Sequence, residues 1–125
     1  MKVVFPIHPR TKGALAREGF ELGENILTIE PVGYLEMAVL LGGARLVLTD
    51  SGGLQKEAYW SRTPCVTLRT ETEWTETVEA GWNVVIGDEI GSLPRLIAQV
   101  SEAGDWQPLY GDGQAARRIV DSLTE

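Results

Sequence analysis

The sequence predicts an α/β domain with a Rossmann-like parallel sheet and helices on both of its faces. Short β-branched runs alternate with helix-like stretches along the whole chain. The loops between them are short and carry Gly and Pro, the pattern of a parallel sheet crossed by helices rather than of a β-sandwich. The handedness of such crossovers makes a doubly wound sheet the natural topology. At 125 residues, 43% hydrophobic and 23% charged, the chain has the size and make-up of one ordinary globular domain, residues 1–125.

Each element has its own signature. The residues Lys2–Ile7 read as a buried strand ended by Pro6 and Pro9. A helix is expected over Thr11–Glu18, closed by Gly19, and a strand over Asn25–Ile29. Gly33–Leu41 reads as a helix stopped by Gly42-Gly43, and Arg45–Thr49 as a strand. A helix over Gly53–Ser61 and a short strand over Cys65–Leu68, entered through Pro64, come next. Trp74–Ala80 is a short helix ended by Gly81, and Asn83–Ile86 the last strand. Helices over Ile90–Glu102 and Gln114–Leu123 close the chain, and Trp106 and Tyr110 before the last one point to a docking contact.

Composition excludes several function classes. No apolar run approaches the ~20 residues of a membrane helix. The stretch Met1-Lys2-Val3-Val4-Phe5-Pro6 is too short for a signal peptide and lacks a small-residue cleavage site, so the expected compartment is the cytoplasm. Eleven Lys and Arg against eighteen Asp and Glu give a net charge of −7, which excludes a general affinity for nucleic acid. An anionic small molecule would have to be held by local devices. The single cysteine, Cys65, rules out an internal disulfide and a zinc site built from Cys pairs, and it reads as an inert core thiol.

In an open parallel sheet, ligands bind beyond the carboxyl ends of the strands. Behind the third strand stands Thr49-Asp50-Ser51-Gly52-Gly53, followed by a helix with Gln55 and Glu57. Two glycines admit a bulky anion, the helix N-terminus attracts it, and Ser51 can donate to it. Glu57, about one turn further, suits a pair of sugar hydroxyls. The alternative is structural: Asp50 or Ser51 caps the helix and the glycines make a tight turn. Spacing alone leaves the two even. His8 ends the first strand, beside Arg10 and Lys12, either as a donor to a phosphate or hydroxyl or as a turn histidine. In the loop Arg69–Glu76, Arg69 can reach a phosphate or pair with Glu73; a solvated loop is the alternative. Met37, Tyr34 and Trp60 have ordinary packing readings.

Several blocks stand together in order: Phe5-Pro-Ile-His-Pro-Arg10, Glu30-Pro-Val-Gly-Tyr-Leu35, Leu48-Thr-Asp-Ser-Gly-Gly-Leu-Gln-Lys-Glu-Ala58, Pro64-Cys-Val-Thr-Leu-Arg69, Thr72-Glu-Trp74, Val78-Glu-Ala-Gly81 and Tyr110-Gly-Asp-Gly-Gln-Ala115. Over nearly the whole chain they resemble the C-terminal part of the UDP-N-acetylglucosamine 2-epimerases. The resemblance implies half of a two-domain GT-B fold, in which this domain holds UDP. By position, Ser51, Gly52 and Gly53 would hold the diphosphate and Glu57 the ribose. Met37 and the backbone of Val32 would meet the uracil, and His8 would line the nucleotide cleft. The family interconverts UDP-GlcNAc and UDP-ManNAc by eliminating UDP and adding it back at the opposite C2 configuration, with no redox cofactor and no metal.

Two departures qualify the likeness. Some members carry an arginine where Trp74 stands, so a phosphate contact from this loop falls to Arg69. The family's first strand–helix unit of this domain, with a catalytic histidine, and its N-terminal domain, with catalytic carboxylates, have no counterpart here. The missing strand would lie between Lys2–Ile7 and Arg45–Thr49. The gap is then closed by direct pairing, by a second copy in a homodimer, or left as open edges. On this reading the chain is a fragment or excision beginning at Met1, with UDP or UDP-GlcNAc as ligand and no epimerisation by itself. The competing readings are half of a GT-B sugar-nucleotide glycosyltransferase and a non-catalytic folding or assembly module.

Overall fold

The computed structural model of the chain describes residues 2–101 and 103–124; Met1, Glu102 and Glu125 lie outside them. The described chain divides into two compact units, the first ending at Met37 and the second beginning at Ala38. The parallel α/β class holds in both.

In the first unit, β1 (Val3–Pro6) and β2 (Ile26–Ile29) form a parallel ladder in the register Val3↔Ile26 to Pro6↔Ile29. The ladder extends at both ends, where Val3 N–H donates to Asn25 O at 2.9 Å and Ile7 N–H to Ile29 O at 3.0 Å. The connection is α1 (Pro9–Arg17), which starts two residues earlier than Thr11 because His8 caps it. The His8 Nδ1 accepts the Arg10 N–H at 3.2 Å, and Pro9 takes the first helical position, where no N–H is needed. The helix ends on Gly19, whose φ of 62° only a residue without Cβ adopts freely. There the Phe20 N–H reaches Leu15 O and the Gly19 N–H reaches Ala16 O, a Schellman closure.

The helix α2 (Tyr34–Gly43) crosses the division between the units. It runs through Gly42-Gly43 instead of stopping before them. Neither glycine has the positive φ of a left-handed cap, so the pair is part of the last turn.

In the second unit, β3 (Val47–Thr49), β4 (Cys65–Thr67) and β5 (Asn83–Val85) form a parallel sheet in the order β3-β4-β5. The helices α3 (Gly52–Trp60) and α4 (Thr75–Glu79) connect them. The central strand is buried along its whole length, as expected for a parallel strand covered on both faces. A 3-10 turn (Ile90–Ser92) leads into α5 (Leu93–Val100), so the single helix expected over Ile90–Glu102 is broken at Ser92. Pro94 fits the first turn of α5. Its Leu93, Leu96, Ile97 and Val100 repeat at helical spacing and pack on Leu46, Val66, Val84 and Ile86, which together make the core. The last helix, α6 (Ala115–Thr124), is exposed throughout.

Among the described residues, β1 pairs only with β2 and β3 only with β4.

Replacing Leu96 by Ala empties the middle of the core stripe. It is expected to cost about 3 kcal/mol, read as a lower urea midpoint at unchanged slope. Leu123→Ala in α6, at a residue 81% exposed, should stay within about 0.5 kcal/mol. The Cys65 thiol gives a second test. Burial raises its pKa from 9.0 to about 12, a bond with Thr67 offsetting part of the rise. The folded state then favours the thiol, so this stabilisation is complete below pH 9.0 and is lost as pH climbs toward about 12. Unfolding midpoints of wild type and Cys65→Ala should run parallel below pH 9 and converge above it.

Candidate functional site

The turn after β3 is built by two short side chains. Ser51 N–H donates to Thr49 Oγ1 at 3.0 Å, which folds the chain back at the strand end. Ser51 itself is extended (φ −82°, ψ 123°), and its Oγ accepts the Leu54 N–H at 3.4 Å as the cap of α3. Ser51 therefore caps the helix, and capping leaves its hydroxyl proton free to donate outward.

The glycines behave differently. Gly52 and Gly53 are the first two residues of α3, and neither has a positive φ. No tight turn requires them. Neither favours a helix as Ala does, and their amides have no intrahelical carbonyl to bond. What Gly52 provides is space: a Cβ there would collide with Glu73 Oε1, with Glu73 Cδ at 3.2 Å and Trp74 Nε1 at 3.6 Å. The absent side chain permits close approach to the helix N-terminus.

The other sequence-predicted residues divide between the two units. Glu57 is half-buried four residues after Gly53, on the same face of α3. Arg69 forms an ion pair with Glu73 at 3.1 Å, so the predicted pairing alternative is the one observed, directly beside Gly52. His8, Val32 and Met37 belong to the first unit. His8 is exposed, and because its Nδ1 accepts the Arg10 amide, the neutral ring carries its proton on Nε2 as an outward donor. Val32 and Met37 are half-buried.

Sequence reasoning missed what holds this turn in place. Gln55 is 1% exposed, and its Oε1 accepts Thr72 Oγ1–H at 2.6 Å and Asn83 Nδ2–H at 3.1 Å. Asn83 also donates to Thr77 Oγ1 at 3.2 Å, and its Oδ1 accepts Thr67 Oγ1–H at 2.8 Å. Thr77 donates to Trp74 O at 2.7 Å, and Trp74 N–H donates to Thr72 Oγ1 at 3.1 Å. This buried network joins α3, β4, α4 and β5 to the loop that carries Arg69 and Glu73. Its signal was available: Thr67 and Asn83 are polar residues inside otherwise apolar strands.

Beside it lies an aromatic cluster. Tyr59 packs against Trp82, Trp106 and Tyr110, and Tyr110 also against Trp60 and Trp74. Lys56 Nζ stands 5.1, 4.5 and 5.1 Å from the ring centres of Trp60, Trp74 and Tyr110, within cation–π reach. The Trp106 indole N–H donates to Tyr59 O at 2.9 Å, and Tyr59 OH donates to Gln107 O at 2.7 Å. The expected docking contact exists, made by the segment before α6 rather than by α6. Burial, and next the neighbouring Glu76, push the Tyr110 hydroxyl above its usual range. Among the described residues, no group of three or more His, Cys, Asp or Glu could hold a metal, and no helix is long and apolar enough to cross a membrane.

Comparison with known proteins adds three findings. A sequence profile described as UDP-N-acetylglucosamine 2-epimerase matches residues 1–124. The UDP-2,3-diacetamido-2,3-dideoxy-D-glucuronate 2-epimerase of Pseudomonas aeruginosa is 48% identical over 98% of this chain, and a UDP-N-acetylglucosamine 2-epimerase homolog of Methanococcus maripaludis 42% over 98%. The chain spans 35% and 36% of their lengths, respectively. A crystal structure of the Methanocaldococcus jannaschii UDP-GlcNAc 2-epimerase in complex with UDP-GlcNAc and UDP is 41% identical, with a TM-score of 0.85 over 98% of this chain and 35% of that one.

Gly52→Ala separates space from backbone conformation. Its Cβ meets only the tip of a flexible side chain, so the stability cost should stay within about 1 kcal/mol, and Glu73→Ala in the same chain should remove it. Unfolding curves of the two single variants and the double variant read the coupling. A larger cost that persists without Glu73 would mean that the backbone itself demands glycine.

Proposed function

The chain belongs to the UDP-N-acetylglucosamine 2-epimerase family, and we propose that it supplies the UDP-holding part of a nucleotide-sugar 2-epimerase. One observation carries this reading: α3 begins with two glycines that its backbone does not need, and the missing Cβ of Gly52 makes room for a carboxylate at the helix N-terminus. The support beside it is the 41% identity to a chain solved with UDP-GlcNAc and UDP.

On this proposal the Ser51 hydroxyl and the amides of Gly52 and Gly53 donate to the diphosphate, where the helix dipole favours negative charge. Glu57, on the same helix face as Gly53, accepts the two ribose hydroxyls. Arg69 supplies the cationic contact from the following loop. In the first unit, Val32 by its backbone, Met37 by its side chain and His8 through Nε2–H are assigned to the nucleotide by their match to the family's motif.

The relatives are named for different sugars, an N-acetylglucosamine and a diacetamido-glucuronate, but both names carry UDP and a change at position 2. The nucleotide-holding residues are what such enzymes share. In a reaction that eliminates UDP and adds it back, negative charge builds on the diphosphate as the bond to the sugar breaks. Donors fixed at that position stabilise the transition state more than the ground state. The residues of this chain thus act on the leaving group, and no proton transfer at C2 is assigned to them. The Arg69–Glu76 loop and the Tyr110–Ala115 block both fall within the residues matched to epimerases, which favours epimerisation over sugar transfer.

Titrating the chain with UDP while recording its amide NMR spectrum tests this. Shifts centred on Ser51, Gly52, Gly53 and Glu57 at submillimolar to millimolar UDP are expected. Unmoved Ser51–Gly53 amides at several millimolar UDP would overturn the proposal.

A further inference from the structure

The space that Gly52 leaves open is already filled. Glu73 Oε1 stands where a Cβ on Gly52 would be. Its other oxygen, Oε2, accepts from Arg69 at 3.1 Å. A carboxylate therefore lies against the start of α3 and holds the one arginine of that loop, in the arrangement an anionic ligand would take. The same point has the Trp74 Nε1 at 3.6 Å, and this indole N–H is buried without an acceptor among the described residues. A buried donor left unpaired is costly, and a phosphate oxygen is an acceptor of the right kind.

We propose that the Glu73 carboxylate is an internal stand-in for the ligand's phosphate, occupying the cradle over Gly52 and holding Arg69 until a diphosphate displaces it. The inference rests on the reading of Ser51–Gly53 as the diphosphate turn. Three physical arguments support the exchange. A diphosphate and a carboxylate at one helix N-terminus repel each other, so binding requires Glu73 to withdraw. The pair being broken is weak, because Arg69 and Glu73 side chains are 37% and 50% exposed. The pair being formed is stronger, since a phosphate offers arginine more charge and a matched pair of oxygens. Glu73 sits in a loop with no regular structure, held at its ends by the Thr72–Gln55 and Thr77–Trp74 bonds, so its side chain can swing while the loop stays in place. In the empty protein the carboxylate keeps Arg69 aimed at the cradle; in the occupied one it has handed Arg69 over.

The test compares UDP with uridine, which lacks the phosphates, on wild type, Glu73→Gln and Glu73→Ala, with amide NMR reading both affinity and location. Removing the competing charge should tighten UDP binding about fivefold, the factor an exposed ion pair allows, and leave uridine binding unchanged. Arg69→Met should weaken UDP and spare uridine. UDP affinity that stays equal or falls in both Glu73 variants, with shifts still at Ser51–Gly53, overturns the stand-in and leaves the diphosphate turn intact. No UDP shifts at Ser51–Gly53 in any of the proteins would overturn the diphosphate turn itself, and the stand-in with it.

Discussion

The second unit depends on one buried side chain, Gln55. It sits in the middle of α3, is 1% exposed, and its Oε1 accepts hydrogen bonds from the Arg69–Glu73 loop and from β5 at once. Buried polar groups are costly unless paired, so a network of this kind tolerates few alternative arrangements. Through Asn83 it reaches β4 and α4, and through Thr72 it sets the loop beside the N-terminus of α3. The hydrophobic stripe of α5 gives the unit its bulk stability. The Gln55 network gives it a register, because it fixes where the loop stands relative to Gly52.

The far end of α3 is secured by different means. Ser61 caps the helix, and Arg62 follows in the left-handed region at φ 55°, where a residue with Cβ is strained. The Arg62 N–H reaches Tyr59 O and the Thr63 N–H reaches Ala58 O, the same closure that glycine makes after α1 and α4. The Arg62 guanidinium lies 4.7 Å from the ring centre of Trp106, whose indole N–H bonds Tyr59 O, a contact that offsets the strain. The cation also stands at the negative end of the helix. Tyr59 then binds Gln107 and packs on Trp82, Trp106 and Tyr110, so the segment that follows α5 is fastened to α3. Past Tyr110, Gly111 and Gly113 both adopt positive φ and start α6 away from this cluster.

What could be read in the sequence was what local chemistry decides. The strands, most helix limits to within two residues, the parallel class and the Ser51-Gly52-Gly53 turn follow from β-branched runs, caps and glycines. Composition left the role of several glycines open or misplaced, because that role depends on backbone geometry. Gly19 and Gly81 end their helices in the left-handed region as expected, while Gly42 and Gly43 lie within one and Gly52 and Gly53 begin another, all with negative φ. Composition does not distinguish a glycine that bends the chain from one that makes room. The Gln55 network and the Lys56–Trp60–Trp74–Tyr110 contacts were hidden for another reason. They join residues up to 54 positions apart, and no periodicity within one element reports such pairs. Nor could the sequence show that the strands pair as two separate ladders, since pairing is a long-range choice.

The helix α3 therefore carries two opposed demands along nine residues. Its first two residues, Gly52 and Gly53, carry no side chain and lack the helix propensity of alanine. An isolated helix of this length with such a start would not form in water. The remaining turns compensate with Gln55, Tyr59, the Lys56 cation over three rings and the Arg62–Trp106 clasp; of these partners only Trp74 also borders Gly52. Placing most of the anchoring contacts on the later turns allows the first turn to stay polar while the helix axis stays fixed. It also explains why the aromatic residues gather around the second half of α3 and the charged loop around the first. Weakening the clasp would loosen the helix from its far end without touching Ser51, Gly52 or Gly53.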